Sequence, residues 1–225
     1  MAKKGLVVLV LVALVAGGAF AQAEFKLSAG VGGYFTSDFG GGVEGSYVFG
    51  EQWYKTPYAG GGGFVFLDAT FVELSLGFWG GSGTMKYGYS FSMFGFSASE
   101  EAEADMSLTG LDIGLLGKYP IALSDQLSFF PLLGISYRVI LAVKDEDGEE
   151  EDDPGDFSAL WFRLGAGLDY SFTDSIYLRA GILYGIRLAN KFENDLVSDL
   201  KDQDLDAKAL LGHGLEVKVA IGFRF

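Results

Sequence analysis

The run Asp145-Glu146-Asp147-Gly148-Glu149-Glu150-Glu151-Asp152-Asp153 is the most conspicuous place in this sequence where chemistry could occur. Carboxylate oxygens at that density suit a hard cation such as calcium. The spacing fails the calcium-loop pattern, because the position that needs glycine for its sharp turn carries Glu150. Like charges so closely spaced repel and extend a segment, so the run reads as a solvated loop that attracts divalent cations loosely. His213 is the only histidine, and Ser198, Asp199, Asp204 and Asp206 lie near it along the chain. Those residue types could form a hydrolase relay, but nearness along a loop does not build one. The glycine runs 40–42 and 60–63 lack a lysine-serine sequel and a following helix, so they are not phosphate loops. No catalytic residue, cofactor site or metal site is expected.

The other charges repeat along two-faced segments, and their placement depends on the elements that carry them. Strands are expected at 24–35, 58–67, 70–80, 107–119, 126–140, 158–172, 175–188 and 213–225. In the last of these, Leu215, Val217, Val219, Ile221, Phe223 and Phe225 share one face, while Glu216, Lys218, Ala220, Gly222 and Arg224 share the other. The two preceding strands alternate in the same way. The apolar faces receive no charge. The polar faces receive Lys26, Lys118, Arg138, Arg163, Arg179, Arg187, Lys218 and Arg224 against Glu24, Glu73, Asp112, Asp169 and Glu216, a surplus of three positive charges.

The connections around Asp68, Ser124-Asp125 and Thr173-Asp174 are short, while those at 36–57, 81–106, 141–157 and 189–212 are long. An up-and-down transmembrane barrel needs that alternation, with short turns inside the cell envelope and long loops outside. The long loops hold most of the acid in a chain of net charge −14. A negative surface argues against nucleic acid and favours a basic ligand or divalent cations. Phe39, Val43, Tyr47 and Phe49 also alternate, as do Met85, Tyr87, Tyr89, Phe91 and Met93. If both stretches cross the membrane the barrel has ten strands. If they extend above it the count is eight, which would make the three short turns one periplasmic class.

The chain has 225 residues, with 34 glycines, 20 phenylalanines, 4 prolines and no cysteine, so neither disulfides nor a lipid-modified cysteine is available. Lys3 and Lys4, the apolar stretch 6–16 and the small residues at 19–23 read as a secretory signal, cleaved after Ala21 or Ala23. The remaining 24–225 is then one barrel domain in the outer membrane, in contact with its lipid. An eight-stranded barrel is just wide enough for side chains to fill, so the interior charges read as a salt-bridged plug. Trp79 and Trp161, near upper strand ends, are expected in an aromatic belt.

These features resemble the small outer-membrane barrels of the OmpX and OmpA-transmembrane-domain type, also found among spirochaete surface proteins. The resemblance covers 24–225 and rests on architecture and on the ending Val219-Ala220-Ile221-Gly222-Phe223-Arg224-Phe225. It implies that Phe223 and Phe225 are read by the barrel-assembly machinery during insertion. Export, alternation, the terminal Phe225 and the long acidic loops together point to a structural or surface-interaction role, with the protein expected to be a monomer. A narrow pore for small solutes and a hydrolase using His213 are the alternatives.

Overall fold

Alternation with a period of two fixes the secondary structure. In the computed structural model, which describes residues 26–225, each expected strand from the second onward forms, and the first begins at Leu27. The expected signal segment and Glu24 lie outside the described residues. In chain order the strands are β1 (Leu27–Phe39), β2 (Gly42–Tyr47), β3 (Gly50–Lys55), β4 (Tyr58–Ala69), β5 (Val72–Met93), β6 (Phe96–Lys118), β7 (Ile121–Ala122) and β8 (Leu127–Lys144). A short 3-10 turn (Pro154–Phe157) precedes β9 (Ala159–Ser171) and β10 (Ile176–Arg187). Helix α1 (Lys191–Asp202) then leads to β11 (Asp206–Leu210) and β12 (Gly212–Arg224). Among the described residues no helix is long and apolar enough to cross a membrane.

Eight of the strands close a ring in the order β1, β4, β5, β6, β8, β9, β10, β12, all antiparallel. β1 and β12 seal it without a break, from Ser28↔Arg224 to Phe39↔His213. The ten-strand alternative is overturned. Met85 to Met93 is the outer half of β5, continuous with its membrane half, and the first long loop supplies β2 and β3, which pair outside the ring.

Around the ring the outward face is apolar. Val31, Val65, Leu76, Ile113, Leu133, Leu164, Ile182 and Val219 all point outward and are exposed. In water such a surface would be untenable, and in lipid it is required. Outward aromatics include Phe35, Phe78, Tyr137, Phe162 and Tyr184 towards one end and Tyr119, Tyr170, Phe172 and Phe223 towards the other. Trp79 and Trp161 are not among them. Both are fully buried inside the ring, because their odd positions in β5 and β9 fall on the inward face. Inward glycines make the room: a Cβ on Gly167 would lie 2.4 Å from the ring of Phe130, its cross-strand neighbour.

Two of the three short turns are built alike. The Ser124 hydroxyl accepts from the amides of Gln126 and Leu127, and the Thr173 hydroxyl accepts from those of Ser175 and Ile176. The third turn is centred on Thr70, in the left-handed region at φ 56°, and not on Asp68. Asp68 lies within β4 with its side chain buried in the lumen, so its assignment to a turn is corrected.

Beyond the opposite rim the chain builds a second, smaller layer. β5 and β6 run on past the ring as one hairpin, and β3, β2 and β11 add to β5 in that order. α1 covers one face of this five-stranded sheet, where Val43, Tyr54, Leu200 and Ala207 form a core with Phe192, Leu196 and Leu205 packed on it.

Candidate functional site

The inward faces of the ring bring buried charges together in three tiers. Nearest the short turns, Arg179 donates to both carboxylate oxygens of Asp169 at 2.8 Å, to Glu73 at 2.6 Å and to Asp68 at 2.6 Å. Lys118 also pairs with Asp68. Arg224 donates to Ser171 Oγ at 2.8 Å and lies 4.4 Å from the centre of the Tyr177 ring. The guanidinium of Arg179 sits over Phe66 and Phe130, so its flat faces meet rings while its edges meet carboxylates.

The middle tier repeats this design. Arg138 donates to Asp112 at 2.9 and 3.1 Å and to the Tyr58 hydroxyl at 3.1 Å, and lies 4.6 Å from the centre of Trp79. Arg163 stacks on Trp161 at 4.4 Å, donates to Ser136 Oγ at 3.0 Å and approaches Glu216 at 3.4 Å. Lys218 pairs with Glu216 at 2.9 Å. Both tryptophans therefore serve as stacking surfaces for lumen arginines.

The top tier draws on segments expected to be loop. Arg187 donates to Glu193 of α1 at 2.8 Å and faces Asp38 at 3.4 Å. Glu193 also closes a capping box: it accepts from the Asn190 amide, while the Asn190 side chain accepts from the Glu193 amide at 2.8 Å. Burial pushes the Glu193 carboxyl above its ordinary range, against the pull of the Arg187 guanidinium.

With Asp38, Asp68 and Glu193 added, the expected positive surplus disappears. Among the described residues the buried or half-buried lumen cations are Lys118, Arg138, Arg163, Arg179, Arg187, Lys218 and Arg224. They face an equal number of carboxylates: Asp38, Asp68, Glu73, Asp112, Asp169, Glu193 and Glu216. Sequence alternation finds the first two tiers except for Asp68, which it leaves in a turn. It misses Glu193 and Asp38, because a loop folding back into a barrel mouth has no strand period. The capping pattern Asn190-x-x-Glu193 is the local signal that could have exposed the helix.

The remaining candidates stand apart from this lumen. His213 lies on the outward side of β12, in line with Leu215 and Val217. Its Nδ1 is 2.5 Å from the Tyr184 hydroxyl, and its ring stacks on Tyr184 near Phe39. In the acidic run, Asp145 accepts from the amides of Asp147 and Glu149, Gly148 takes a positive φ, and Lys144 pairs with Glu150. Among the described residues no three acidic, histidine or cysteine side chains are grouped to hold a metal ion. Phe223 faces outward near the end of β12, and Phe225 follows it, largely exposed.

The family model described as "Outer membrane protein beta-barrel domain" matches residues 7–219. A search of curated protein sequences found no match. Among solved structures, the outer membrane protein OprG from Pseudomonas aeruginosa is similar over 89% of this chain and 96% of its own, at 9% identity and a TM-score of 0.40. Neisserial surface protein A is similar over 86% and 97%, at 12% identity and a TM-score of 0.39. The outer membrane protease OmpT from Escherichia coli is similar over 91% and 99%, at 10% identity and a TM-score of 0.41.

Proposed function

The chain belongs to the outer-membrane β-barrel family, and on that premise we propose that it is a surface-display protein whose barrel is a closed anchor. The long acidic loops and the small sheet outside the ring form its working surface, which contacts basic molecules or divalent cations. The observation that carries this reading is the charge match in the lumen. Each of the three tiers holds arginine against carboxylate, and in the lower two the arginines also lie on aromatic rings, which leaves little of the space a conducting path would need.

On the same reading, residues 1–23 direct export, and Phe223 and Phe225 carry the signal read by the assembly machinery. The mature protein works as a monomer without catalysis. His213, hydrogen-bonded to Tyr184 on the outward side, is a rim residue. Planar-bilayer recording from the purified protein tests the closed anchor. We expect no ohmic conductance of porin size, and a steady conductance of that size would overturn the proposal.

A further inference from the structure

The outer sheet ends in two apolar turns set side by side, Val48-Phe49 between β2 and β3 and Phe94-Gly95 between β5 and β6. Gly50 pairs with Phe91, and the Ser92 amide donates to the Phe49 carbonyl at 2.6 Å. The rings of Phe49 and Phe91 meet edge to face at 6.5 Å. Val48, Phe94 and Phe96 are 87%, 92% and 82% exposed. Phe94 sits at φ 50° and Gly95 at φ 84°, a turn that favours asparagine followed by glycine. A bulky side chain at that first position strains the backbone and, exposed as it is, gains nothing within the fold.

Charge is arranged around this tip in two levels. No charged residue occurs within 45–50 or 87–99. Ser90, Ser92, Ser97 and Ser99 share one face of the hairpin, and Phe91, Met93 and Phe96 share the other. Below come Glu51, Glu100, Glu101 and Asp206, all acidic. Lys86, the first cation down β5, lies lower still and is held by Glu103. Tyr87 and Tyr89 stand exposed at the acidic level, with the Tyr89 hydroxyl donating to Glu100 at 2.7 Å. Met93 lies ten residues beyond Gly83, the last residue of β5 to pair with β4. At about 3.3 Å per residue that is roughly 30 Å along the strand, too far for the tip to touch the lipid around the barrel.

We propose that this tip enters a second lipid surface, one whose headgroups carry choline, facing the membrane that holds the barrel. Val48, Phe49, Phe94 and Phe96 enter the boundary between headgroups and acyl chains. Glu100 is on the order of 15 Å back from the turn, so the rings can sink about 5 to 10 Å without carrying an acid with them. The headgroups then lie beside Tyr89, Glu100 and Glu101. Rings and carboxylates both attract the quaternary ammonium of phosphatidylcholine. An anionic lipid such as phosphatidylglycerol presents only charge that the same carboxylates repel. The inference rests on the surface-display reading and names what the displayed surface meets.

The test holds the full protein in a non-ionic amphipol and floats it with vesicles of phosphatidylcholine or of phosphatidylglycerol. We expect binding to phosphatidylcholine to be at least about tenfold the stronger. Phe94→Asn suits the turn and so keeps the fold, yet should weaken that binding about tenfold through the lost aromatic ring. Phe94→Trp should add fluorescence that brominated phosphatidylcholine quenches. Equal binding to the two lipids, full binding by Phe94→Asn, or added fluorescence that escapes quenching would overturn the insertion. So would pairs of the protein that form through the tip while vesicles stay unbound. A single cysteine at position 147, labelled on intact cells, separates the two ideas. Labelling with no lipid preference sinks the inference alone, whereas no labelling sinks surface display itself.

Discussion

The two halves of the β5–β6 hairpin, one inside the ring and one above it, follow the same pleat and obey different rules. On the outward face within the ring stand Leu76, Phe78, Leu111 and Ile113. Some turns further along the same face stand Thr84, Lys86, Glu101, Glu103 and Asp105. The register between the two strands does not shift, so the change is wholly chemical. The inward face changes too, from Glu73 and Asp112 buried in the lumen to exposed Tyr87 and Tyr89 beside Leu196 and Leu200 of α1, with Glu100 accepting from the Tyr89 hydroxyl. Lipid tolerates no outward charge and a narrow lumen no unpaired one, whereas the outer sheet faces water and one covering helix. The membrane boundary is therefore written in the side chains and not in the backbone.

The sharpest way to break this contrast is at the base of the lumen. Arg179→Ala leaves Asp68, Glu73 and Asp169 without their shared partner and should cost about 3 to 5 kcal/mol. Denaturant unfolding in detergent would read the loss, still without a large channel. Arg163→Ala should act in the same direction through Glu216. Next comes a pair of lysines on one face of β6. Ile113→Lys, facing lipid, should cost about 2 to 4 kcal/mol, while Glu101→Lys above the rim should cost nothing measurable. Similar losses at both sites would erase the proposed boundary.

Smaller effects belong to the cap. Asn190→Ala removes half of the capping box and should cost about 1 kcal/mol, seen as faster proteolysis within 188–211 and an unchanged barrel. The least effect is one of pH. Because the folded carboxyl of Glu193 holds its proton more readily than the unfolded one, the cap loses stability as pH rises out of the ordinary glutamate range. Protection of 188–211 should therefore be somewhat better in mild acid than at neutral pH, with Glu193→Gln flattening the difference. Arg187 and Asp38 face the same carboxyl, so the change stays small.

The two regions were also unequally legible in the sequence. Alternation located the ring portion of every strand, because each must keep one face for lipid and the other for the lumen. But it stopped β5 at 80 and began β6 at 107, whereas β5 runs on to Met93 and β6 begins at Phe96. It also separated short turns from long. It placed Asp68 in a turn, since an aspartate next to a glycine-free bend resembles turn chemistry until the register shows it facing Arg179. Trp79 and Trp161 looked like belt residues from their place near upper strand ends, although their parity put them inside. Above the rim no lipid enforces the pattern. There α1, the docking of Glu193 on Arg187 and the pairing of β2, β3 and β11 depend on contacts distant in sequence, such as Trp53↔Gly88 and Lys208↔Glu44.

The division into anchor and exposed layer is tested most directly by single cysteines at Asp147 and Asp174, since the natural chain has none. Intact cells would be treated with a membrane-impermeant maleimide and then broken and treated again. The account predicts labelling at 147 on intact cells, and at 174 only after breakage. Labelling of both sites only after breakage would contradict it, placing the acidic loop on the same side of the membrane as the short turns.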